Sequence, residues 1–224
     1  MEFKEIPFFT MDKLLHFRAL QDRTHVSRTV DGEYEPVNYS PGSSVRFWVN
    51  KETRQFELHW HASTEIIVPI ENIVTVHMRG TEYVLHPGDI FVIPPGELHE
   101  LGIPPAGLRL VFLFDLAVLQ TINGFPYLNS TFSNPVLISP DNAIYHQEME
   151  LLYEMFCDYY SQSSLREVKI FSKMINFYVA YQESQCMLDS AAPKKYEYFP
   201  HEELSCTVLL NTTLSSVEVV STQK

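Results

Sequence analysis

The sequence predicts a mainly β protein, an antiparallel β-barrel followed by an antiparallel pair of α-helices. Short runs rich in Val, Ile, Phe and Tyr alternate with turn residues over residues 44–115. This texture is typical of a sandwich or barrel rather than of alternating strands and helices. After Pro140 the apolar residues recur at helical spacing. A chain of 224 residues with 45% apolar and 20% charged residues also has the composition and size of a globular protein that needs no disulfide or structural metal.

Residues 1–43 are interpreted as an N-terminal arm that lies against the main domain. Pro7, Pro36, Pro41 and Gly42 interrupt this segment. A short helix is expected to begin within residues 12–15. Charged residues interrupt the apolar ones near the N-terminus and no small-residue cleavage site follows, so this segment is not a signal peptide.

The predicted barrel spans residues 44–140. The candidate strands are residues 45–49, 56–61, 66–70, 73–78, 82–85, 90–93 and 108–114. Gly80, Gly88, Pro94 and Gly96 mark turns between them, because glycine accepts positive φ and proline presets φ. These four residues are therefore expected to shape the barrel rather than to bind a ligand.

A helix pair is predicted over residues 141–190. Asp141 is expected to cap the first helix, and Ser164 with Glu167 is expected to form a capping box for the second. A short connection between two helices places them antiparallel. The apolar positions are Leu151, Leu152, Met155, Phe156, Tyr159, Ile170, Phe171, Met174, Ile175, Tyr178 and Tyr181.

The helix pair also predicts a partner. One barrel face is not expected to bury all the apolar residues of two helices, and a large exposed apolar patch usually marks an interaction site. A homodimer formed through the helix pair is the commonest solution for such a surface.

Charge and cysteine content exclude several functions. The chain has 16 Lys and Arg against 28 Asp and Glu, a formal net charge of −12. Nucleic acids and anionic membranes both attract cationic surfaces, so neither is an expected partner. Cys157, Cys186 and Cys206 are far apart and odd in number, which predicts neither a disulfide framework nor a zinc knuckle. A reducing cytoplasm is the expected location.

Four residues form a candidate binding site. His59 and His61 are two positions apart, so they share one face of a strand. Glu65 follows in a turn or in the next strand, and His99 follows the turn at Pro94–Gly96. Imidazole nitrogens and a carboxylate suit Fe(II), Mn(II), Ni(II) or Zn(II). His59, His61, Glu65 and His99 are therefore candidate ligands of a small molecule and of a metal ion.

These residues resemble the two motifs of the cupin superfamily. His59, His61 and Glu65 fit the first motif, HxH followed by Glu. The second motif, G-x5-P-x-G-x2-H, is fitted residue for residue by Gly88, Pro94, Gly96 and His99. The chain departs from the family where Asn72 replaces a frequent glycine and where Ile103 replaces a final asparagine. The resemblance implies a cupin barrel of the double-stranded β-helix, or jelly-roll, type.

The wider stretch of residues 56–99 resembles the sensor domain of AraC-type transcriptional regulators. The order of elements is similar over residues 44–199. The resemblance implies that the barrel binds a small effector and that the helix pair forms a dimer interface.

In such regulators a C-terminal domain of two helix-turn-helix units would contact DNA. Residues 191–224 are instead predicted to be a linker and an atypical tail. Residues 200–224 are too few for that domain and lack helical periodicity, and Lys224 is the only lysine or arginine among them. The chain resembles a regulator that has been cut short, and by itself it is not expected to bind operator DNA.

Three functional hypotheses are consistent with these sequence features. The first is a sensor that uses the His/Glu set as a polar pole for its effector, with no metal required. The second is a stand-alone metal-dependent cupin enzyme of the dioxygenase or isomerase type, which the complete four-residue set favours. The third is a structural or storage cupin, which the absence of secretory features disfavours. No nucleophile elbow, GxGxxG or Walker A motif is present, and no catalytic residue is assigned.

Overall fold

The computed structural model describes residues 6–21, 29–51, 53, 56–102 and 106–191. Four α-helices lie in this part of the chain: α1 (Met11–Gln21), α2 (Phe125–Thr131), α3 (Tyr145–Tyr159) and α4 (Arg166–Ala191). A short 3-10 helix covers Leu116–Leu119. The strands are β1 (Val45–Asn50), β2 (Phe56–His59), β3 (Thr64–Pro69), β4 (Val74–Met78), β5 (Thr81–Leu85), β6 (Ile90–Ile93), β7 (His99–Leu101), β8 (Arg109–Phe114) and β9 (Val136–Ile138).

The strands form two antiparallel sheets, which confirms the predicted mainly β fold. One sheet has the order β1-β8-β3-β6-β9 and the other the order β2-β7-β4-β5. Alternation along β3 separates two cores, because successive side chains point to opposite faces. Ile66 and Val68 belong to the core beneath the helices, while Ile67 belongs to the core between the sheets. Glu65 shares the face of Ile67 and therefore points into the barrel.

The helices cover the outer face of the five-stranded sheet. Leu152, Phe156, Ile170, Met174 and Tyr178 all have 0% exposure within this single chain, while Leu151 is half-buried. The expectation that one barrel face leaves a large part of these residues exposed is therefore wrong. Other elements supply the missing cover: the Phe17 ring of α1 lies 5.0 Å from Phe156, and Phe132 lies 4.0 Å from Tyr178. Homodimerisation stays a prediction that rests on the family resemblance alone.

Both helix caps predicted from the sequence are wrong. The first helix of the pair begins at Tyr145, and the Ile144 N–H donates to the Asn142 side chain rather than to Asp141. The second begins at Arg166, where the Ser163 hydroxyl accepts the Leu165 N–H. The Glu167 carboxylate accepts the Ser44 N–H at 3.3 Å. A tertiary contact to the start of β1 has thus replaced the local cap.

Three short elements, β7, β9 and α2, were not predicted from the sequence. The strands β7 and β9 have three residues each, and α2 has seven. Runs this short show no periodicity of their own and are fixed by pairing with neighbours. Here β7 pairs with β2 and β4, and β9 pairs with β6. The predicted linker and tail lie outside the described residues from position 192 onward.

Several turns adopt the left-handed backbone conformation. Gly80, Gly88 and Gly96 have φ values of 73°, 93° and 79°. Asn72 replaces a glycine often found in the related family and has φ of 61°. Asparagine is one of the few other residues that adopt this conformation readily, so this departure from the motif preserves the turn. None of the helices in the described part of the chain is long and apolar enough to cross a lipid bilayer.

Candidate functional site

The structure brings His59, His61, Glu65 and His99 together inside the barrel. His59 ends β2 and lies directly opposite His99 at the start of β7, while Glu65 reaches them from β3 in the facing sheet. All four side chains are buried, and one potential ligand atom from each lies within 4.8 Å of all the others. The His59 and His99 rings are 4.3 Å apart, and the His61 and His99 rings 5.2 Å. We call these four residues the His/Glu site.

Each imidazole of the His/Glu site is held by a backbone carbonyl. The Nδ1 atoms of His59, His61 and His99 lie 2.7, 2.9 and 2.8 Å from the carbonyl oxygens of Glu57, Ser63 and Glu97. A carbonyl can only accept, so each Nδ1 must carry a proton and donate it. This leaves the three Nε2 atoms for the interior. Such anchoring of the distal nitrogen is what orients histidine ligands at metal sites.

Glu65 is the charged centre of the His/Glu site. Its Oε2 atom lies 3.0 Å from His61 Nε2 and 3.3 Å from His99 Nε2. Burial would lower the pKa of His61, but the hydrogen bond and charge of Glu65 outweigh it and raise that pKa. Burial would likewise raise the pKa of Glu65, but His61 and His99 hold it well below its usual range. Glu65 is therefore an ionised carboxylate that is hydrogen-bonded to His61 and lies beside the His99 ring.

The donor set fits a divalent cation. His99 Nε2 is fully buried and has no hydrogen-bond partner in the described structure, despite its proximity to Glu65. A buried ring nitrogen of this kind requires an explanation, and an ion is one. Three inward Nε2 atoms and a carboxylate oxygen match the preferences of borderline and harder divalent metals. The His/Glu site can thus hold a metal ion.

Two further residues inside the barrel were missed by the sequence reasoning. Glu35, from the N-terminal arm, places its Oε2 atom 3.4 Å from His59 Nε2. Arg109 is buried on β8, and the centre of its guanidinium lies 5.7 Å from the Phe56 ring centroid. Arg109 shares the inner face of β8 with Leu113, which is the register partner of Glu65. Leu113 lies four residues from Arg109, about 13 Å along the strand.

Neither residue had a signal in the sequence. Glu35 belongs to no motif, and Arg109 is a single charged residue within an apolar run. Glu35 is brought into the barrel by pairing of the arm with Trp60, and Arg109 by pairing of β8 with β3.

His77 and His86 lie outside the barrel interior. The His77 side chain is about half exposed beside Glu82, and His86 is mostly exposed. Trp60 points away from His59 and contacts the Tyr34 ring at 4.6 Å.

Comparison with known proteins gives one family match. The family model described as the AraC-like ligand binding domain matches residues 41–157, more than half of the chain. This match runs from before β1 into α3. A comparison with curated proteins found no significant match.

Solved structures give distant similarities. A cupin-2 domain containing protein from Shewanella frigidimarina is 22% identical with a TM-score of 0.32, covering 45% of this chain and 87% of that one. Apo ToxT from Vibrio cholerae is 10% identical with a TM-score of 0.43, covering 70% and 68%. A variant of the oxalate decarboxylase OxdC from Bacillus subtilis is 22% identical with a TM-score of 0.28, covering 34% and 22%.

Proposed function

Because the chain belongs to the family of AraC-like ligand-binding domains, we propose that its barrel is the effector-binding, sensory domain of an AraC-type transcriptional regulator. In this proposal a small molecule binds inside the barrel against the His/Glu site. Operator DNA is bound by a domain outside residues 41–157. The net charge of −12 is consistent with this division, because affinity for DNA rests on cationic groups that meet phosphates.

One observation carries this proposal. The His/Glu site is a compact polar centre at the inner wall of a barrel whose apolar core includes Ile67, Val76, Phe91 and Leu101. A few convergent polar groups in apolar surroundings are what orient a small ligand. The buried Arg109 adds a cation on the same inner face. Bound effector shifts the domain between two arrangements only by its differential affinity for them.

A thermal-shift screen tests the sensory function. Sugars, aromatic acids and other small metabolites are added to the wild type, to His99→Ala and to the control His77→Ala. His77 lies on the outer surface, so its replacement leaves the barrel interior intact. We expect a true effector to raise the melting temperature of the wild type and of His77→Ala but not of His99→Ala, since a ligand stabilises only the state that binds it. A ligand that stabilises all three proteins equally does not bind at this site.

The His/Glu site also favours a second candidate, a stand-alone metal-dependent cupin enzyme. The three anchored imidazoles and the carboxylate form a complete set of metal ligands. A bound metal would supply Lewis-acid chemistry. The residues of the chain would hold it through Nε2 of His59, His61 and His99 and through the Glu65 carboxylate.

Elemental mass spectrometry tests the enzyme hypothesis. The protein is purified without a histidine tag or nickel resin, with His99→Ala as the comparison. The enzyme hypothesis predicts about one equivalent of iron or manganese in the wild type and loss of that metal in the variant, because one of four ligands is gone. Absence of metal from both proteins contradicts the enzyme hypothesis and favours the sensor.

A further inference from the structure

Residues 33–35 of the N-terminal arm are fixed beside the His/Glu site by backbone pairing with Trp60. The Trp60 N–H donates to the Glu33 carbonyl at 2.8 Å, and the Glu35 N–H donates to the Trp60 carbonyl at 2.9 Å. Trp60 stands between His59 and His61 in the chain. The arm is therefore held in register with the residue that separates two members of the His/Glu site.

Alternation within this paired segment determines where its side chains point. Successive residues of an extended chain point to opposite sides. Tyr34 packs on the Trp60 ring at the outer surface, at 4.6 Å. Glu35 points the other way, where its side chain is only 13% exposed and its Oε2 lies 3.4 Å from His59 Nε2.

The distance from Glu35 to His59 has a specific chemical meaning. His59 Nδ1 donates to the Glu57 carbonyl, so Nε2 is the atom that would bind a metal. The Glu35 carboxylate therefore lies next to a ligand atom of the His/Glu site, on the side opposite to the anchor. Fully buried and without a hydrogen-bond partner, His99 Nε2 independently points to an ion in the same centre.

Charge balance gives the second reason. Buried charges are stable when they are paired or coordinate metals. A divalent cation held by neutral imidazoles and Glu65 alone would leave one uncompensated positive charge inside the barrel. A second carboxylate neutralises it. Glu35 is the carboxylate that the described structure places within 4 Å of His59.

We propose that Glu35 is a further ligand of a divalent cation bound at the His/Glu site. This inference rests on the cation site considered above. It implies that three imidazoles and two carboxylates hold the ion, a set suited to manganese(II) or iron(II). It also implies that binding of the ion holds residues 33–35 on Trp60, because a ligand from the arm can contact the metal only while the arm is docked.

The test measures manganese(II) binding by isothermal titration calorimetry on the full chain. The variants are Glu35→Gln and the matched control Glu33→Gln. Glu33 lies on the same segment and is exposed, and its pairing with Trp60 uses only its backbone. We expect Glu35→Gln to weaken binding by about 10–100-fold, the range found when groups that support a metal site are lost. The control should bind like the wild type.

Glu35→Asp separates a direct ligand from a nearby charge. Aspartate keeps the charge but withdraws it by one methylene group. Weakened binding in this variant supports direct ligation, whereas wild-type affinity overturns it. Hydrogen exchange provides a second measurement. Manganese should slow exchange of the Glu35 and Trp60 amides in the wild type but not in Glu35→Gln.

The outcomes distinguish this inference from the cation site itself. If the wild type and Glu35→Gln bind manganese equally, Glu35 is not a ligand although the His/Glu site binds metal. If Glu35→Gln binds more tightly, Glu35 competes with the cation for His59 and the inference is overturned. If the wild type binds no manganese, zinc or iron, both the cation site and the role of Glu35 are wrong. The sensory function remains open to the effector screen in each case.

Discussion

Replacing Glu148 by glutamine is expected to raise the free energy of unfolding at pH 7 by about 3 kcal/mol. Glu148 lies on the buried face of α3 with Met149 and Leu152, and its exposure is 0%. Both carboxyl oxygens are without hydrogen-bond partners in the described structure. Burial therefore raises the pKa of Glu148 to about 9, so the folded protein keeps this group protonated at neutral pH.

The sign of the effect follows from the two pKa values. Below the unfolded pKa of 4.5, folded and unfolded chains are both protonated at Glu148, and its ionisation costs no stability. As pH rises from 4.5 towards 9, only the unfolded chain releases the proton, which stabilises the unfolded state by about 1.4 kcal/mol per pH unit. Glutamine cannot ionise, so the variant does not lose folding stability by this route as the pH rises.

Urea denaturation at several pH values between 5 and 8 measures this prediction. The wild type should lose stability with rising pH more steeply than Glu148→Gln. Glu150→Gln is the matched control, because Glu150 is exposed on the same helix and both variants remove one ionisable carboxyl group from the unfolded chain. A Glu148→Gln variant that is less stable than the wild type throughout this range would show that the carboxylate is ionised and paired in the fold.

Replacing Phe156 by alanine is expected to destabilise the protein by about 3–5 kcal/mol, the usual cost of removing a buried aromatic side chain. Phe156 is fully buried where α1 and α3 meet the five-stranded sheet. Its ring contacts five others, those of Phe9, Phe17, Phe47, Phe112 and Tyr160. The cavity left by alanine would lie among all of these, and rigid rings cannot collapse into it.

Urea denaturation at pH 7 also measures this effect. Tyr127→Ala is the control, since Tyr127 is 69% exposed on α2. Its replacement should change stability by less than about 0.5 kcal/mol. A loss below about 1 kcal/mol in Phe156→Ala would mean that the aromatic cluster repacks and that α1 is not held by it.

The motif spacing was sufficient to predict the members of the His/Glu site. His59 and His61 share a face because side chains alternate along an extended chain, and the turn at Gly96 is short enough to return His99 beside them. The direct pairing of His59 with His99 across β2 and β7 was not predicted, because it depends on the register of two strands that are distant in sequence. Glu65 was assigned from its spacing in the family's motif. In the structure it reaches the histidines from β3, in the facing sheet.

Other features could not be predicted from local patterns. Burial of Leu152, Ile170 and Met174 depends on how many other elements pack against them. The sequence does not reveal this number, because a helix as short as α2 shows no recognisable periodicity. The capping box predicted for Ser164 and Glu167 was wrong because Glu167 accepts a hydrogen bond from Ser44, a residue more than 100 positions away. The Glu167 carboxylate can accept a hydrogen bond either from its own helix end or from a distant residue. The local sequence pattern indicates only the first of these partners.

The sequence by itself determined the β-barrel, the helix pair, the family and the four residues of the His/Glu site, because these depend on periodicity and on fixed short spacings. The tertiary structure decided which groups share the interior with that site. Glu35 enters through pairing of the arm with Trp60, and Arg109 enters through the register of β8. The structure also decided that Glu148 is buried without a partner. These outcomes arise from contacts between distant segments, whose register is set by burial of the whole chain and not by any local pattern.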